Sequence, residues 1–143
     1  VPNLITELQG KETGVVYLAI NSTANKPEEE VLASGSEYLE ELKVDVPMLM
    51  DYDGTVGHAY GARTTPHMYV IDTEGVLVYQ GALSDDARSK KGDKAETHIL
   101  RVVNQLEADE EVSPSYVQPW GCPVKYKRDG NSPRRGPRGK PRG

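Results

Sequence analysis

The chain has 143 residues, 36% of them hydrophobic and 27% charged, with eight Tyr and no Phe, which is room for one domain around a modest core and too little for two. Its net charge of −5 divides into a tail of +6 over residues 127–143 and a body of −11, which excludes the body as a ligand for a phosphate backbone and leaves only weak, salt-sensitive nucleic-acid contact through the tail. No apolar run approaches the ~20 residues that span a bilayer, and the single cysteine, Cys122, excludes an internal disulfide and a multi-cysteine zinc site.

Leu4, Ile5 and Leu8 have helical spacing and precede Gly10 and Gly14, the pattern of a helix end. Val15 to Ile20 is a continuous apolar run, which predicts a strand covered on both faces. Pro27 followed by Glu28, Glu29 and Glu30 predicts a helix start, with Gly35 as an interruption and an apolar stripe through Tyr38, Leu39 and Leu42. Pro47 to Met50 reads as a short strand and Asp51 to Gly54 as a turn. Val56, Ala59 and Tyr60 then give one or two helical turns ending at Gly61.

His67 to Asp72 and Val76 to Gln80 are strand-like runs joined by Asp72-Thr-Glu-Gly75, a hairpin whose glycine supplies the positive φ of a tight turn. Asp93-x-x-Glu96 resembles a capping box, and Ala95, Ile99, Val102 and Leu106 form one apolar helix face ending near Asp109. Periodicity is lost from Ser113. From Arg128 the sequence is Gly, Pro, Arg and Lys without apolar anchors, which predicts a disordered tail.

Three segments carry a resemblance. Asp51-Tyr-Asp-Gly-Thr-Val-Gly57, Tyr60-Gly-Ala-Arg-Thr-Thr-Pro-His-Met-Tyr-Val-Ile-Asp72 and Gly121-Cys-Pro-Val-Lys-Tyr126, with Ala19-Ile-Asn-Ser22 before them, resemble the peroxiredoxin-like redoxins of the alkyl hydroperoxide reductase and thiol-specific antioxidant superfamily. The similarity runs over residues 1–126, the expected domain, and leaves 127–143 as a basic tail. It implies an α/β, thioredoxin-like mixed sheet flanked by helices, here without its first strand or strands and the start of its first helix. The missing strand would lie between those formed by Val15–Ile20 and His67–Asp72, so both are expected to show unpaired edges that invite self-association. The chain is expected to be soluble, cytoplasmic or periplasmic.

The resemblance also marks a site. The residues alone favour a trans lead-in to a strand at Thr64-Thr65-Pro66, because cis X-Pro is ~5–6% of such bonds; the family match implies a cis Thr65-Pro66 bond beside a reactive cysteine. That attacking cysteine would sit at a helix start, where a thiolate is stabilised, and no such residue stands in the 143. Cys122, in Pro119-Trp-Gly-Cys-Pro123 with Lys125 close by, has two readings: a resolving or accessory thiol, or a small packed residue of a C-terminal arm. The implied substrates are a peroxide or a thiol/disulfide protein, with a thioredoxin-like protein as electron donor and no cofactor.

His58, His67 and His98 are scattered and read as surface or hydrogen-bonded residues rather than zinc ligands, so no metal is expected. Asp51 and Asp53 beside Gly54 lack the later ligands of a calcium loop and read as turn residues. The implied function is a thiol-disulfide or peroxide oxidoreductase, inactive as this chain alone. Its alternatives are a non-catalytic thioredoxin-like binding module and a nucleic-acid binder working through the basic tail.

Overall fold

The computed structural model describes residues 14–128 other than Val44 and Ser89. The helix end predicted over residues 1–9 and the tail beyond Arg128 lie outside them. The elements run β1 (Ala19–Asn21), α1 (Glu28–Leu42), β2 (Met48–Met50), α2 (Thr55–Tyr60), β3 (Thr64–Thr65), β4 (Met68–Ile71) and β5 (Leu77–Gly81). A single 3₁₀ turn (Gly92–Lys94), α3 (His98–Glu107), β6 (Tyr116–Val117) and β7 (Cys122–Pro123) complete the order. No helix among the described residues is long and apolar enough to cross a membrane.

The helix predicted after Pro27 forms with its acidic first turn, but Gly35 does not interrupt it. A Cβ at that position would lie 2.7 Å from the Met48 sulfur. The missing side chain lets α1 pack closely on β2, and that contact outweighs the ~1 kcal/mol that glycine costs a helix interior. The predicted turn, short helix and Gly61 stop follow as expected, with Gly61 at φ 69°. The hairpin also forms: β4 and β5 pair antiparallel around Asp72, whose Oδ1 accepts the amides of Glu74 and Val76 at 2.9 Å each.

Three expectations need correction. The strand predicted over Val15–Ile20 is reduced to Ala19–Asn21, because its partner β2 has only three residues and the pairing ends at Ala19↔Met48. Nor is β1 covered on both faces: Leu18 and Ile20 are 52% and 44% exposed, and Leu49, paired with Ile20, is 48% exposed. The helix predicted to start near Asp93 begins at His98 instead. Ser84 pairs with Thr97, and the Asp85 amide and carboxylate bond the Glu96 carbonyl and amide. Those bonds hold residues 95–97 extended.

The sheet of the fold is divided. Among the described residues β1 pairs only with β2, in parallel, while β4–β5–β6 form a separate three-stranded piece and β3 pairs with β7. Ala19 and Asn21 direct their backbone groups to β2, so those of Leu18 and Ile20 face the other way. Gln80 and Ala82 donate to Ser115 and Val117 beside β6, which leaves Tyr79 and Gly81 for β4 and puts Tyr69 and Ile71 on the outer edge of that strand. Among the described residues no strand pairs with either of these edges, which lie on the two strands between which the resemblance expects a further one.

The main core lies between β5 and α3, where Tyr79, Leu83, Ile99, Val102 and Val103 are buried against Met68, Val70, Leu106 and Val117. Ile99, Val102 and Leu106 belong to the predicted face. Val102 is fully enclosed. Val102→Ala is therefore expected to cost about 2 kcal/mol through lost burial and a residual cavity, read as a lower urea midpoint at unchanged slope.

Candidate functional site

Residues beyond Ser113, where no periodicity is visible, form an arm that returns across the molecule. Arg101 of α3 holds its start, donating from Nη1 to the Ser113 carbonyl at 2.8 Å and from Nη2 to that of Pro114 at 3.1 Å. The Ser113-Pro114 bond is cis, which the sequence reading did not anticipate. Val117 joins β5, Pro119 is buried, and Trp120 Nε1 donates to the Ser84 carbonyl at 2.8 Å. The chain then turns at Gly121 and lays Cys122 and Pro123 against Thr65 and Thr64 as an antiparallel pair.

This pairing brings the site residues together. Thr65-Pro66 is cis, as the resemblance implies. Thr64 Oγ1 donates to the Pro66 carbonyl at 2.8 Å and closes the loop on itself. Cys122 stands opposite Thr65, next to the proline, and is exposed. The reading of Cys122 as a packed residue is therefore corrected: the prolines and tryptophan around it are spent on fixing the arm, and the thiol is left at the surface.

Beyond Cys122 the arm stays laced to the loop. Val124 donates to the Arg63 carbonyl at 3.1 Å, Ala24 donates to that of Lys125 at 2.7 Å, and the Tyr126 hydroxyl donates to that of Ala62 at 2.7 Å. Tyr126 stacks on His58 with ring centroids 3.9 Å apart. Gly121 makes the close approach tolerable: its φ is 137°, and a Cβ there would fall on the Thr65 carbonyl group.

His67 follows the proline directly. Its Nδ1 accepts the Arg63 amide at 3.2 Å, its Nε2 lies 3.2 Å from Gln80 Oε1, and its ring stacks on Tyr69 at 4.6 Å. Burial, with the Arg63 cation adding to it and the Gln80 bond opposing, holds its pKa below the usual imidazole value. Burial, aided by Tyr126 and Tyr60, pushes the Tyr69 phenol up to about 12, so it stays a neutral donor to the Tyr60 carbonyl at 3.1 Å. His98 departs from the expectation for the histidines, since its Nδ1 is buried with no hydrogen-bond partner among the described residues.

Asp51 and Asp53 serve the turn before α2. Asp51 accepts the Ser22 hydroxyl at 2.6 Å and the amides of Val56 and Gly57 at 3.0 and 2.8 Å, and Asp53 accepts that of Thr55 at 3.1 Å. Thus β1, the turn and α2 are fixed beneath the loop that follows at Gly61.

A sequence profile described as Redoxin matches residues 3–99, more than half of the chain. The chain belongs to the Redoxin family. Two solved structures share the thioredoxin-like fold of this redoxin. A hypothetical protein from Sinorhizobium meliloti 1021 is 30% identical, with a TM-score of 0.74 over 90% of this chain and 71% of that one. An uncharacterised conserved protein from Geobacillus kaustophilus is 28% identical, with a TM-score of 0.73 over 90% and 70%. Comparison with functionally curated proteins gives no match. The peroxiredoxin-like class of the sequence reading is that of the family, and the match ends before the arm that carries Cys122.

Gly121, expected only as part of the resembling Gly121–Tyr126 segment, and His67, expected only as a surface or hydrogen-bonded histidine, take positions that hold the loop and the arm together. Both flank a residue already singled out, Cys122 and Pro66. That adjacency was the available signal.

Proposed function

We propose that this redoxin is the loop-bearing part of a thiol-dependent oxidoreductase that reduces peroxides or disulfides, with Cys122 as its resolving or accessory thiol. The carrying observation is the β3–β7 pairing, which sets an exposed thiol beside the Thr64–Pro66 loop. The attacking cysteine is proposed to come from a segment N-terminal to Val1. Two features favour this: the sole cysteine is not at a helix start, and among the described residues no strand pairs with the outer edges of β1 and β4, which leaves places for a further strand.

The chemistry balances with two external reactants. The attacking thiolate takes the terminal oxygen of a peroxide and becomes a sulfenate while an alcohol or water leaves; the protonated sulfenic acid then condenses with the Cys122 thiol, releasing water and forming a disulfide. A dithiol donor returns both sulfurs to thiols by exchange and is itself oxidised to a disulfide. For a disulfide substrate the first step is exchange and needs no peroxide.

The test compares dithiol-supported reduction of peroxide and of insulin disulfides by three proteins: this chain, the chain extended by the coding sequence upstream of Val1, and the extended chain with Cys122→Ser. The present chain is expected to be silent and the extended one active, with Cys122→Ser losing at least tenfold. Robust turnover by the present chain would sink the proposal. An inactive extended protein would favour a non-catalytic binding module on the same scaffold, and full activity of Cys122→Ser would remove the thiol role alone.

A further inference from the structure

The Thr64–Pro66 loop is held from behind by a side chain that the redox reading does not use. We propose that His67 is a positioning residue: as a neutral imidazole with its proton on Nε2, it clamps the Arg63 backbone to β5 and so keeps the loop in pairing distance of Cys122. This rests on the reading of Thr64–Pro66 and Cys122 as one site.

The hydrogen bonds fix the tautomer. The Arg63 amide donates to Nδ1, so that nitrogen carries a lone pair and a neutral ring must hold its proton on Nε2, which then donates to Gln80 Oε1. One ring thus joins the residue just before β3 to the strand two elements later. The same Arg63 offers its carbonyl to the Val124 amide from the Cys122 arm and its guanidinium to the Tyr116 hydroxyl of β6. Residue 63 is therefore the junction between the loop, the arm and the three-stranded piece, and His67 holds its amide side.

Protonation reverses the bond. A charged imidazole has two N–H donors, so Nδ1 would confront the Arg63 amide with a second donor, next to the Arg63 cation. The groups facing the ring are Arg63 from the loop, Tyr69 of β4 beneath it and Gln80 of β5, with Tyr60 of α2 and Tyr126 of the arm around Tyr69. Because the folded pKa lies below its ordinary value of 6.5, the clamp is fully present above about pH 6.5 and is lost as pH falls through the depressed folded value.

Two isosteres separate the two ring nitrogens. Asn places its Oδ1 where Nδ1 sits and cannot titrate, while Gln places an N–H₂ where Nε2 sits and lacks the inner acceptor. Amide exchange at Arg63 and Val124 is measured from pH 8 downward through the titration of the ring for the full chain and for His67→Asn and His67→Gln, each compared at the same pH. Relative to His67→Asn, which keeps the acceptor toward Arg63 but loses the bond to Gln80, the natural chain is expected to exchange more slowly at pH 8 and to lose that advantage as pH falls through the folded value, a change of up to about tenfold, the loss of one ordinary hydrogen bond. His67→Gln should be about tenfold faster at every pH.

Ring ¹⁵N shifts of the natural protein give an answer even if neither variant folds: an Nδ1–H tautomer or a protonated ring at pH 7 would overturn the proposal. So would His67→Gln behaving like His67→Asn. A clamp that passes these tests in a protein whose extended form is inactive would leave the positioning role standing and remove only the redox reading; a pH-independent loop in an active extended protein would do the reverse.

Discussion

Asp51→Ala is expected to lower the unfolding free energy by about 3 kcal/mol. Asp51 is 6% exposed and accepts three bonds, from the Ser22 hydroxyl and from the amides of Val56 and Gly57. Gly54 at the N-cap of α2 has no side chain to satisfy those amides, so Asp51 caps the helix from three residues upstream. Alanine would strand a buried hydroxyl and two amides of a six-residue helix. Bonds to a charged acceptor are worth ~1.5–3 kcal/mol each and do not add fully. Ser22→Ala, which leaves both amides bonded, should cost only about 1 kcal/mol. Equal losses from the two variants in urea unfolding would show that the hydroxyl, not the cap, matters.

The same carboxylate makes the fold acid-sensitive. Burial alone would raise its pKa, but the Ser22 hydroxyl and the two amides outweigh burial and hold it below its ordinary 3.8. A depressed folded pKa means stabilisation that is complete above about pH 4 and is lost as pH falls through the folded value. In Asp51→Asn the stability of the fold should be lower at pH 7 and should fall less steeply below pH 4 than in the natural protein.

How much of this was legible in the sequence depends on how far along the chain each cause lies. The Asp72–Gly75 hairpin was readable because a carboxylate, two amides and one glycine settle it within five residues. The start of α3 was misread because Asp93-x-x-Glu96 is a local cue, whereas Ser84 and Asp85 hold the segment before His98 extended from another part of the chain. Gly35 looked like a break because the sequence shows its cost to a helix and not the Met48 sulfur it must clear. β6 and β7 have two residues each, too few for any period to register. For the site, the loop was marked by resemblance and Cys122 by being the sole cysteine, but nothing local could say that they pair, since Thr65 and Cys122 meet only after the whole hairpin and α3 lie between them.

Gly121→Ala is expected to uncouple the arm from the loop while leaving the main core folded. Gly121 has φ 137°, and a Cβ there would lie 2.9 Å from the Thr65 carbonyl carbon and closer still to its oxygen. Those are backbone atoms of β3, which have no rotamer to move into, so the overlap is relieved only by separating β7 from β3. The core at Tyr79, Ile99 and Val102 does not include that pair, so the opening is local. Strain of about 2–4 kcal/mol would raise the open population by ~30- to 1000-fold. The Val124 amide, which donates to Arg63, should lose protection by at least the lower of those factors. Gly75→Ala serves as the control, because its φ of 82° is also unfavourable for alanine but nothing lies within 4 Å of the added carbon. It should shift global stability by about 1 kcal/mol and leave Val124 protected. Unchanged Val124 exchange in Gly121→Ala would mean that β7 yields without detaching. Under the proposed resolving role of Cys122, the same substitution in the extended protein should depress turnover about as far as Cys122→Ser does, because a thiol that leaves the loop would be as useless there as one that is absent.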